Sequence, residues 1–593
     1  NDWKVDQETG LASLESSDAQ NHSFTAASVA GKSHDVSWEL ASEQRLKLTI
    51  PADRSARSLR VTVGVGDADQ ELAAFTALSK NVLKEPVADL SSLIERPSSK
   101  LAPQRWPGEI TTAGTLGLEQ DGYALDTLTR PDSTLWNTWF RTTALDFFDD
   151  GRMAIATHGG DVWIVSGIDE TLDELRWKRY AAGLYEPFGV KVVDGDVFVT
   201  CKDRLVRLHD RDGNGEADFY ESFNADTDVS TNFHAFNFDL QTDSEGNFYY
   251  AKSGHGADFA LPGAVWRVSK DGKEREVVCT GFRTPNGLGT LPGGRITVSD
   301  NQGQWTPASK VSIAKPGTFH GWVPTYSIPD KWEPDGGKID IRKVVAPDTF
   351  EQPLVWMPQA FDNSSGGQIW VEDDRFGPLS NHLLHTSFGK GWMSMMMIQE
   401  VGETSQAAIV KLPFDFSTGI MRGRVNPHDG QVYATGLQGW NGGGRFGLDD
   451  GGVQRLRYTG TPPKMITDAR VVAGGLELDL NFPVNTESVL EGDAVSIVQW
   501  DYLWSKAYGS DQYIPGTAES DDPKIGTETL VPQSVQVNAV PGEPGSSRLR
   551  LNLPTLGPVD QLQLQLRIQA DDGEAFEEEV YWTIHVVPSS DPR

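Results

Sequence analysis

Oxygen-bearing side chains in the segment DRDGNGEADFYE, residues 210–221, have the spacing of a twelve-residue calcium loop, with glycine at the sixth position. In such loops a hard cation collects oxygen ligands and the glycine permits a sharp turn. The flanking segments LVRLH and FYESF are typical of strands rather than of EF-hand helices. We therefore predict a structural calcium site in a β-protein, with a solvated acidic turn as the alternative. The expected ligands are Asp210, Asp212, Asn214, the backbone of Glu216, Asp218 and Glu221.

A second group of side chains is basic and occupies equivalent positions beside predicted strands. It consists of His234, Arg283, Lys390, Arg422 and Arg424. Five such groups stand out in a chain whose net charge is -32. Arginine binds a carboxylate through two parallel hydrogen bonds and lysine supplies a point charge. The pattern predicts a cavity for a ligand with several carboxylates; a structural histidine and solvated surface cations are the alternative.

A repeated unit surrounds these residues: an apolar run, a DG or GG turn, an aromatic strand and a second strand. Such strand-rich repeats are typical of β-propeller blades, which cover one another's faces. We predict an all-β chain with a six-bladed β-propeller at residues 126–460. Its ligand site is expected at one end of the channel, with insertions at about 212–232 and 314–356 on that face. The six copies are residues 144–167, 188–210, 236–273, 286–313, 365–398 and 424–460.

The pattern changes on both sides of the repeats. Residues 1–125 contain strand-like segments such as SLRVTVGVG and a passage rich in Ala, Ser and Pro, which predicts an N-terminal β-domain and a linker. Residues 461–593 alternate between apolar and polar positions, as in LQLQLRIQA, which predicts an immunoglobulin-like β-sandwich. The aromatic segment at 500–513 is expected to pack against the propeller, with contact to sugar as the alternative.

Composition restricts the partners and the location. The net charge of -32 argues against nucleic acid and anionic membranes as partners, because both would repel the chain. The absence of a long apolar run argues against membrane insertion. A sequence that starts at Asn1 suggests a trimmed, exported protein, periplasmic or secreted. With Cys201 and Cys279 as its two cysteines, the chain can form one disulfide at most and lacks a haem attachment motif, a zinc ribbon and an iron-sulfur site. We expect buried free thiols, with the disulfide as the alternative.

Five segments of the middle region occur in the order that a known family has them. They are FHAFNFDLQTDSEGNFYYAKSG, GFRTPNGLG, SDNQGQWTPASKVSIAKPGTFHGW, LLHTSFGKGWM and MRGRVNPHDGQVY. In these segments residues 140–460 resemble the soluble quinoprotein glucose, aldose-sugar and sorbosone dehydrogenases. That resemblance implies a six-bladed propeller that binds pyrroloquinoline quinone (PQQ) and calcium.

The resemblance also implies a role for each matched residue. His234 becomes the catalytic base and Arg283 the arginine at cofactor and substrate, whereas Thr284 departs from the asparagine usual in the family. Gln304 stands where a proline often helps to bind the metal. The remaining implied contacts are Lys390, Arg422, Arg424, Asn301 and Gln302 with the quinone, and the carbonyls of Gly303 and Gln304 with an active-site calcium.

Three functions remain in competition at this point. A sugar dehydrogenase would use His234 to remove a hydroxyl proton while hydride passes to the quinone, and it would need a separate electron acceptor because no haem domain is present. A cofactor-free, lyase-type enzyme would use the same basic groups to neutralise a uronate in an acidic polysaccharide. A non-catalytic propeller would only bind carbohydrate.

Overall fold

The structure is a computed structural model, and it describes residues 3–18, 21–31, 36–42, 45–52, 59–82, 103–132, 136–256, 259–323, 348–438 and 444–589. The protein is all-β, as predicted: the described residues form 41 strands and one α-helix. The chain divides into two compact units, Asn1–Lys100 (unit 1) and Leu101–Arg593 (unit 2). Within the described residues, no helix has both the length and the apolar character needed to cross a membrane.

Unit 1 combines a sheet, a hairpin and a helix. Strands β1, β2, β3 and β6 form an antiparallel sheet in that order and β4 pairs with β5, where the strands are β1 (Trp3–Asp6), β2 (Leu11–Asp18), β3 (Asn21–Gly31), β4 (Ser37–Ser42), β5 (Arg45–Thr49) and β6 (Leu59–Asp67). Helix α1 (Ala68–Asn81) follows β6. Phe75 of the helix packs on Phe24 of β3, with the ring centroids 6.3 Å apart.

Unit 2 begins with three short strands and continues with sheets that follow one another along the chain. The short strands are β7 (Ile110–Thr112), β8 (Glu119–Gln120) and β9 (Tyr123–Thr127). Sheet A contains β10 (Thr142–Phe147), β11 (Met153–Thr157), β12 (Val162–Ser166) and β13 (Leu175–Ala181). Sheet B contains β14 (Gly189–Val193), β15 (Asp196–Thr200), β16 (Arg204–His209) and β17 (Phe219–Ala225). Sheet C contains β18 (Asn237–Thr242), β19 (Phe248–Lys252), β20 (Ala264–Val268) and β21 (Arg275–Thr280).

Three further sheets complete this series. Sheet D contains β22 (Leu288–Thr290), β23 (Ile296–Asp300), β24 (Ser309–Ile313) and β25 (Val355–Met357). Sheet E contains β26 (Ser365–Trp370), β27 (Leu383–Ser387), β28 (Trp392–Val401) and β29 (Thr404–Asp415). Sheet F contains β30 (Ile420–Val425), β31 (Val432–Gly436) and β32 (Gly452–Tyr458). Short 3-10 turns occur at Pro292–Gly294, Asp374–Leu379 and Ser488–Leu490.

Each sheet is a run of antiparallel neighbours, and each of the six repeats seen in the sequence falls in one sheet. The DG turns explain this locality. Between β14 and β15, Asp194 and Gly195 have φ of 52° and 83°, the positive pair that a two-residue hairpin turn requires. Such turns bring consecutive strands together without help from distant residues.

The first strands of the six sheets contact one another in sequence: β10 with β14, β14 with β18, β18 with β22, β22 with β26, β26 with β30, and β30 with β10. Strand β9 pairs with β32 and so supplies the fourth strand of sheet F, and β7 pairs with β13 of sheet A. The predicted boundary at residue 125 therefore falls inside β9, because the last sheet takes a strand from this early segment.

The C-terminal segment forms two layers that share a core with sheet E. One layer has the order β33-β34-β39-β38, and the other extends sheet E, because β41 pairs with β29. The immunoglobulin-like topology stays a prediction, and the segment is continuous with unit 2. The strands are β33 (Ile466–Val472), β34 (Gly475–Leu480), β35 (Val495–Tyr502), β36 (Gln512–Tyr513), β37 (Glu528–Leu530), β38 (Ser534–Ala539), β39 (Ser547–Asn552), β40 (Val559–Gln569) and β41 (Ala575–Ile584).

The two cysteines are buried free thiols, which confirms that prediction. Cys201 follows β15 and Cys279 lies in β21. Burial raises the pKa of both thiols above the usual value, so neither is a reactive thiolate at neutral pH.

Candidate functional site

A cavity of about 270 Å³ lies where loops of sheets C to F meet. Most lining residues lie where the first strand of a sheet begins, including the loop before it, or in the connection between the second and third strands of a sheet. In an antiparallel sheet the beginning of the first strand and this connection are at the same end, and we call that end the mouth. The lining residues are His234, Phe236, Phe238, His255, Arg283, Thr284, Asn286, Asn301, Ser364, Phe388, Gly389, Met421, Gly444 and Tyr508.

Among the described residues that line this cavity, Arg283 is the permanently charged one. Its side chain is buried, its Nε has no hydrogen-bond partner, and no ion pair joins it to another described residue. The nearby carboxylate of Asp300 instead accepts backbone N–H groups, from Arg283 at 2.9 Å and from Thr284 at 2.6 Å. Burial lowers the pKa of Arg283 below its usual value. A buried guanidinium with an unused donor is suited to bind an anion.

Glycine at position 303 makes room for this guanidinium. A Cβ atom added to Gly303 would lie 1.9 Å from Arg283 Nε, so any larger residue would displace the arginine. The sequence implied a different role for Gly303, namely a carbonyl ligand of an active-site calcium. Its carbonyl accepts two N–H groups in the structure, from Gly509 at 3.0 Å and Thr306 at 3.1 Å.

Two histidines stand beside Arg283. The ring centroids of His234 and His255 are 5.4 Å apart. Burial, followed by the charge of Arg283, lowers the pKa of His234, and the same causes lower that of His255 to about 3. Both imidazoles are therefore neutral at neutral pH, and His255, with its pKa of about 3, is a weak proton acceptor there. Sequence reasoning identified His234 and missed His255, which lies in the β19–β20 connection, in the segment KSGHG.

The C-terminal segment contributes one wall of the cavity. The ring of Tyr508 covers the guanidinium of Arg283, with 5.3 Å between the carbon Cζ and the ring centroid. The loop is fixed by hydrogen bonds from Trp305 N to the Ser505 carbonyl, at 2.9 Å, and from Trp504 Nε1 to the Gly321 carbonyl, at 2.9 Å. The aromatic segment at 500–513 thus packs on the sheets, as expected, and also reaches the cavity.

Three of the predicted basic residues do not line the cavity. Arg422 and Arg424 bind Asp239, with Nε–Oδ2 and Nη2–Oδ1 distances of 3.4 and 3.2 Å, and all three are buried. Burial opposes ionisation of Asp239, but Arg422 and Arg424 outweigh it and keep the carboxyl pKa below its usual value. Lys390 Nζ lies 5.8 Å from the centroid of the Trp392 ring. These three side chains therefore lie outside the lining of the cavity, and their contact with a quinone stays a prediction.

The remaining predicted cofactor residues lie near the cavity in different ways. Asn301 lines it, and its Oδ1 accepts the Ser365 N–H at 2.7 Å. Gln302 Nε2 donates to the Pro307 carbonyl at 3.1 Å, outside the lining. Gln304 pairs with Tyr508 through a backbone bridge, and its side-chain oxygen is buried without a hydrogen-bond partner.

The predicted calcium loop joins β16 to β17, as expected for a loop between strands. The first part of the expected insertion at 212–232 therefore lies at the end of sheet B opposite the mouth, and not on the functional face; residues 324–347 of the other expected insertion lie outside the described residues. Carboxylate oxygens of Asp210, Asp212 and Asp218 lie within 4.8 Å of one another. Glu221 is turned away, because its carboxylate binds His209 Nε2 at 2.7 Å. The Glu216 carboxylate accepts the N–H groups of residues 105 and 106 at 2.6 and 2.9 Å, which leaves only its carbonyl for the ion. Three of the predicted side chains can thus act together.

No family model and no curated protein matches the sequence. Several solved structures are similar to it. An oxidoreductase described as a glucose dehydrogenase, from Thermus thermophilus, has a TM-score of 0.41 and 17% identity over 59% of this chain and 100% of that one. The PQQ-bound aldose sugar dehydrogenase of Streptomyces coelicolor has a TM-score of 0.40 and 14% identity over 57% and 99%. The apo-form aldose sugar dehydrogenase of Escherichia coli has a TM-score of 0.38 and 16% identity over 54% of this chain and 96% of that one. Similarity of this degree assigns neither a family nor an activity to this chain.

Proposed function

We propose that unit 2 contains a six-bladed β-propeller whose mouth is the active site of a carbohydrate-active enzyme, one that oxidises a sugar hydroxyl. The six sheets and the closed series of contacts between their first strands support the propeller. One observation carries the function: the buried guanidinium of Arg283, without an ion pair among the described residues, lies beside two neutral histidines in one cavity.

The roles of the residues follow from their charge. His234 accepts the proton of the sugar hydroxyl, since its lowered pKa keeps the imidazole neutral. Arg283 stabilises the negative charge that develops on the oxygen, and it does so strongly because the site is buried. A hydride leaves the same carbon for an electron acceptor, so the alcohol is oxidised to a carbonyl. PQQ, when bound, would supply this acceptor.

The cavity fits PQQ at one end only. Phe236 and Phe388 offer flat apolar walls, and Arg283 can bind one carboxylate. The quinone has three carboxylates, and the cations expected for the others are held elsewhere, Arg422 and Arg424 by Asp239. PQQ in this cavity would therefore contact the lining residues and pair one carboxylate with Arg283.

A second candidate is favoured by the number of cations that line the cavity. Among the described lining residues there is one guanidinium without an ion pair, and it matches the single carboxylate of a uronate residue in an acidic polysaccharide. There Arg283 would neutralise the carboxylate while His234 or Tyr508 removes the proton from the carbon that bears it, and a C=C bond would form as the C–O bond at the next carbon breaks. The departing oxygen would leave with the bonding electrons and take up a proton from solvent, which gives an unsaturated sugar and a free hydroxyl. This reaction needs no electron acceptor.

The experiment mixes the purified protein with PQQ and calcium, then measures quinone absorbance and sugar-dependent dye reduction. Quinone binding with dye reduction that is lost in His234→Ala supports the dehydrogenase. His428→Ala is the control, because His428 lies in the turn between β30 and β31, at the end opposite the mouth. Release of unsaturated sugar from polygalacturonate without quinone would replace the dehydrogenase with the elimination. Loss of neither activity in His234→Ala would contradict both candidates.

We also propose that the loop at 210–218 binds calcium through Asp210, Asp212 and Asp218, with Asn214 and the Glu216 carbonyl as further ligands. The ion's role is structural, because the loop lies at the opposite end of sheet B from the mouth, between β16 and β17. An extracytoplasmic location, where free calcium is abundant, is part of the same proposal. Added calcium should raise the melting temperature, and chelation should lower it.

A further inference from the structure

The exposed aromatic side chains of unit 2 are concentrated at the mouth. Among the described residues they are Trp139, Tyr185, Phe219, Phe233, Phe446 and Tyr508. All but Phe219 lie in the loops of the mouth or, for Tyr508, in the C-terminal loop that lines the cavity. Phe219 starts the outer strand β17, at the other end of sheet B. Single exposed rings are ordinary on protein surfaces, whereas their grouping around one cavity indicates a binding surface.

Three of these rings are each held from one side by a cationic side chain, and a fourth, Phe233, is held by the neutral imidazole of His234. Such support fixes the ring before a ligand arrives, so little conformational entropy is lost on binding. Two of the supporting cations are themselves held, Arg141 by Asp450 at 2.7 Å and Lys202 by Glu186 at 2.9 Å. The pairs are Trp139 with Arg141 at 5.1 Å, Tyr185 with Lys202 at 5.5 Å, Phe233 with His234 at 4.1 Å and Tyr508 with Arg283 at 5.3 Å.

Short contacts connect the outer rings to the cavity. Trp139 packs on His158, with ring centroids 6.4 Å apart, and His158 packs on Phe236 of the cavity wall at 6.3 Å. On the next sheet, Lys202 lies between Tyr185 and Phe236, 4.9 Å from the centroid of the latter. The rings at 139 and 185 are therefore two contacts away from the lining of the reactive cavity. They belong to the same surface as the cavity.

We infer that the mouth binds an extended saccharide chain, with Trp139, Tyr185, Phe233 and Tyr508 as stacking platforms and the cavity as the subsite for the reacting sugar. A pyranose has an apolar C–H face, which packs on an aromatic ring, and a rim of hydroxyls. The carboxylates of Glu186 and Asp450, which bind the cations behind two of the rings, can accept hydrogen bonds from sugar hydroxyls. A protein partner would require a continuous apolar patch, whereas here charged groups separate the rings.

This inference rests on the proposed function, because it takes the substrate to be a carbohydrate. It specifies that the substrate is polymeric and that Trp139 and Tyr185 determine the preference for chain length. Neither residue contacts the cavity directly, so reaction of a monosaccharide should not require them.

The experiment is electrophoresis in native gels that contain xylan, dextran, laminarin, polygalacturonate or alginate. We expect at least one polysaccharide to retard the protein, and we expect the apparent dissociation constant to rise about tenfold for each ring removed in Trp139→Ala and Tyr185→Ala. Phe219→Ala is the matched control. Its ring is also exposed and is held by Arg211 at 3.6 Å, but it lies away from the mouth, so its removal should leave retardation unchanged.

The conservative variants Trp139→Phe and Tyr185→Phe keep an aromatic ring and should retain most of the retardation, which separates loss of stacking from loss of folding. The inference is overturned if no polysaccharide retards the wild-type protein, or if the double alanine variant is retarded as strongly as the wild type. The measurement detects binding and not turnover. A failure of the proposed chemistry, seen as unchanged activity in His234→Ala, would therefore be distinguishable from a failure of the binding surface.

Discussion

Asp239 holds two arginines in the interior of unit 2, and replacing it should be costly. At 3.4 and 3.2 Å, each pair has a Coulomb energy of about 5 kcal/mol at an effective dielectric constant of roughly 20. Desolvation offsets much of this energy, and removal of one partner of a buried pair typically costs about 3–5 kcal/mol. Asp239→Asn keeps the side-chain volume and leaves Arg422 buried without its carboxylate, whereas Arg424 keeps Asp146, whose Oδ1 lies 3.7 Å from Arg424 Nε. We expect the free energy of unfolding to fall by about that amount.

Scanning calorimetry gives the measurement. The entropy of unfolding, roughly 2.1 cal/mol/K per residue, comes to about 1 kcal/mol/K for unit 2. Dividing the expected loss of about 3–5 kcal/mol by this entropy gives a fall in the melting temperature of roughly 3–5 °C. The control is Glu400→Gln, which breaks the exposed ion pair with Arg295 at 2.8 Å. That change should lower the melting temperature by about 1 °C or less.

The stabilisation that Asp239 provides should decrease at low pH. The folded-state pKa of Asp239 is below the ordinary value of 3.8, because Arg422 and Arg424 outweigh the effect of burial. The stabilisation is therefore fully present above pH 3.8 and is lost as the pH falls through the lower, folded-state pKa. The difference between wild type and Asp239→Asn should shrink only in that acidic range.

Two results would refute this reasoning. Asp239→Asn with the stability of the wild type would show that the arginines do not depend on the carboxylate. A melting temperature restored by PQQ in Asp239→Asn, but unaffected by PQQ in the wild type, would show that Arg422 and Arg424 can bind the quinone carboxylates. In that case the role implied by the sequence resemblance would stand, and the assignment from the structure would be wrong.

The other predictions concern the metal loop, the base and the C-terminal segment. Replacing Asp210 and Asp212 by alanine should abolish the rise in melting temperature caused by calcium and leave turnover nearly intact; an unchanged calcium stoichiometry would contradict the site. Burial and the charge of Arg283 lower the pKa of His234, so the acidic fall of kcat/KM should have its midpoint below pH 6.5. Arg283→Met removes that charge and should move the midpoint to higher pH. A midpoint above pH 6.5 in the wild type would exclude His234 as the base. Deleting residues 461–593 removes β41 and so exposes the unpaired edge of β29, which should make the protein aggregate. A soluble, active truncated protein would show that sheet E is stable without β41.

The strands and the metal loop could be predicted from the sequence because both depend on residues that are close together in the chain. Each repeat falls in one sheet because hairpin turns such as Asp194–Gly195 join neighbours in the chain. The carboxylates of Asp210, Asp212 and Asp218 converge for the same reason: their spacing within one short loop leaves them little freedom to separate. His234 and Arg283 could be placed at one cavity because both precede first strands of adjacent repeats.

Tertiary structure alone decided which of the basic groups share the cavity. Arg422 and Arg424 have the sequence pattern of cofactor ligands, but Asp239, 185 residues from Arg424, holds both in the interior. Nothing in the local pattern reports this carboxylate, because it comes from another sheet. His255 and Tyr508 reach the cavity from a loop and from the C-terminal segment by long-range packing. Sequence periodicity determines on which face of a strand a side chain lies, whereas the charge that it meets there depends on how the sheets come together.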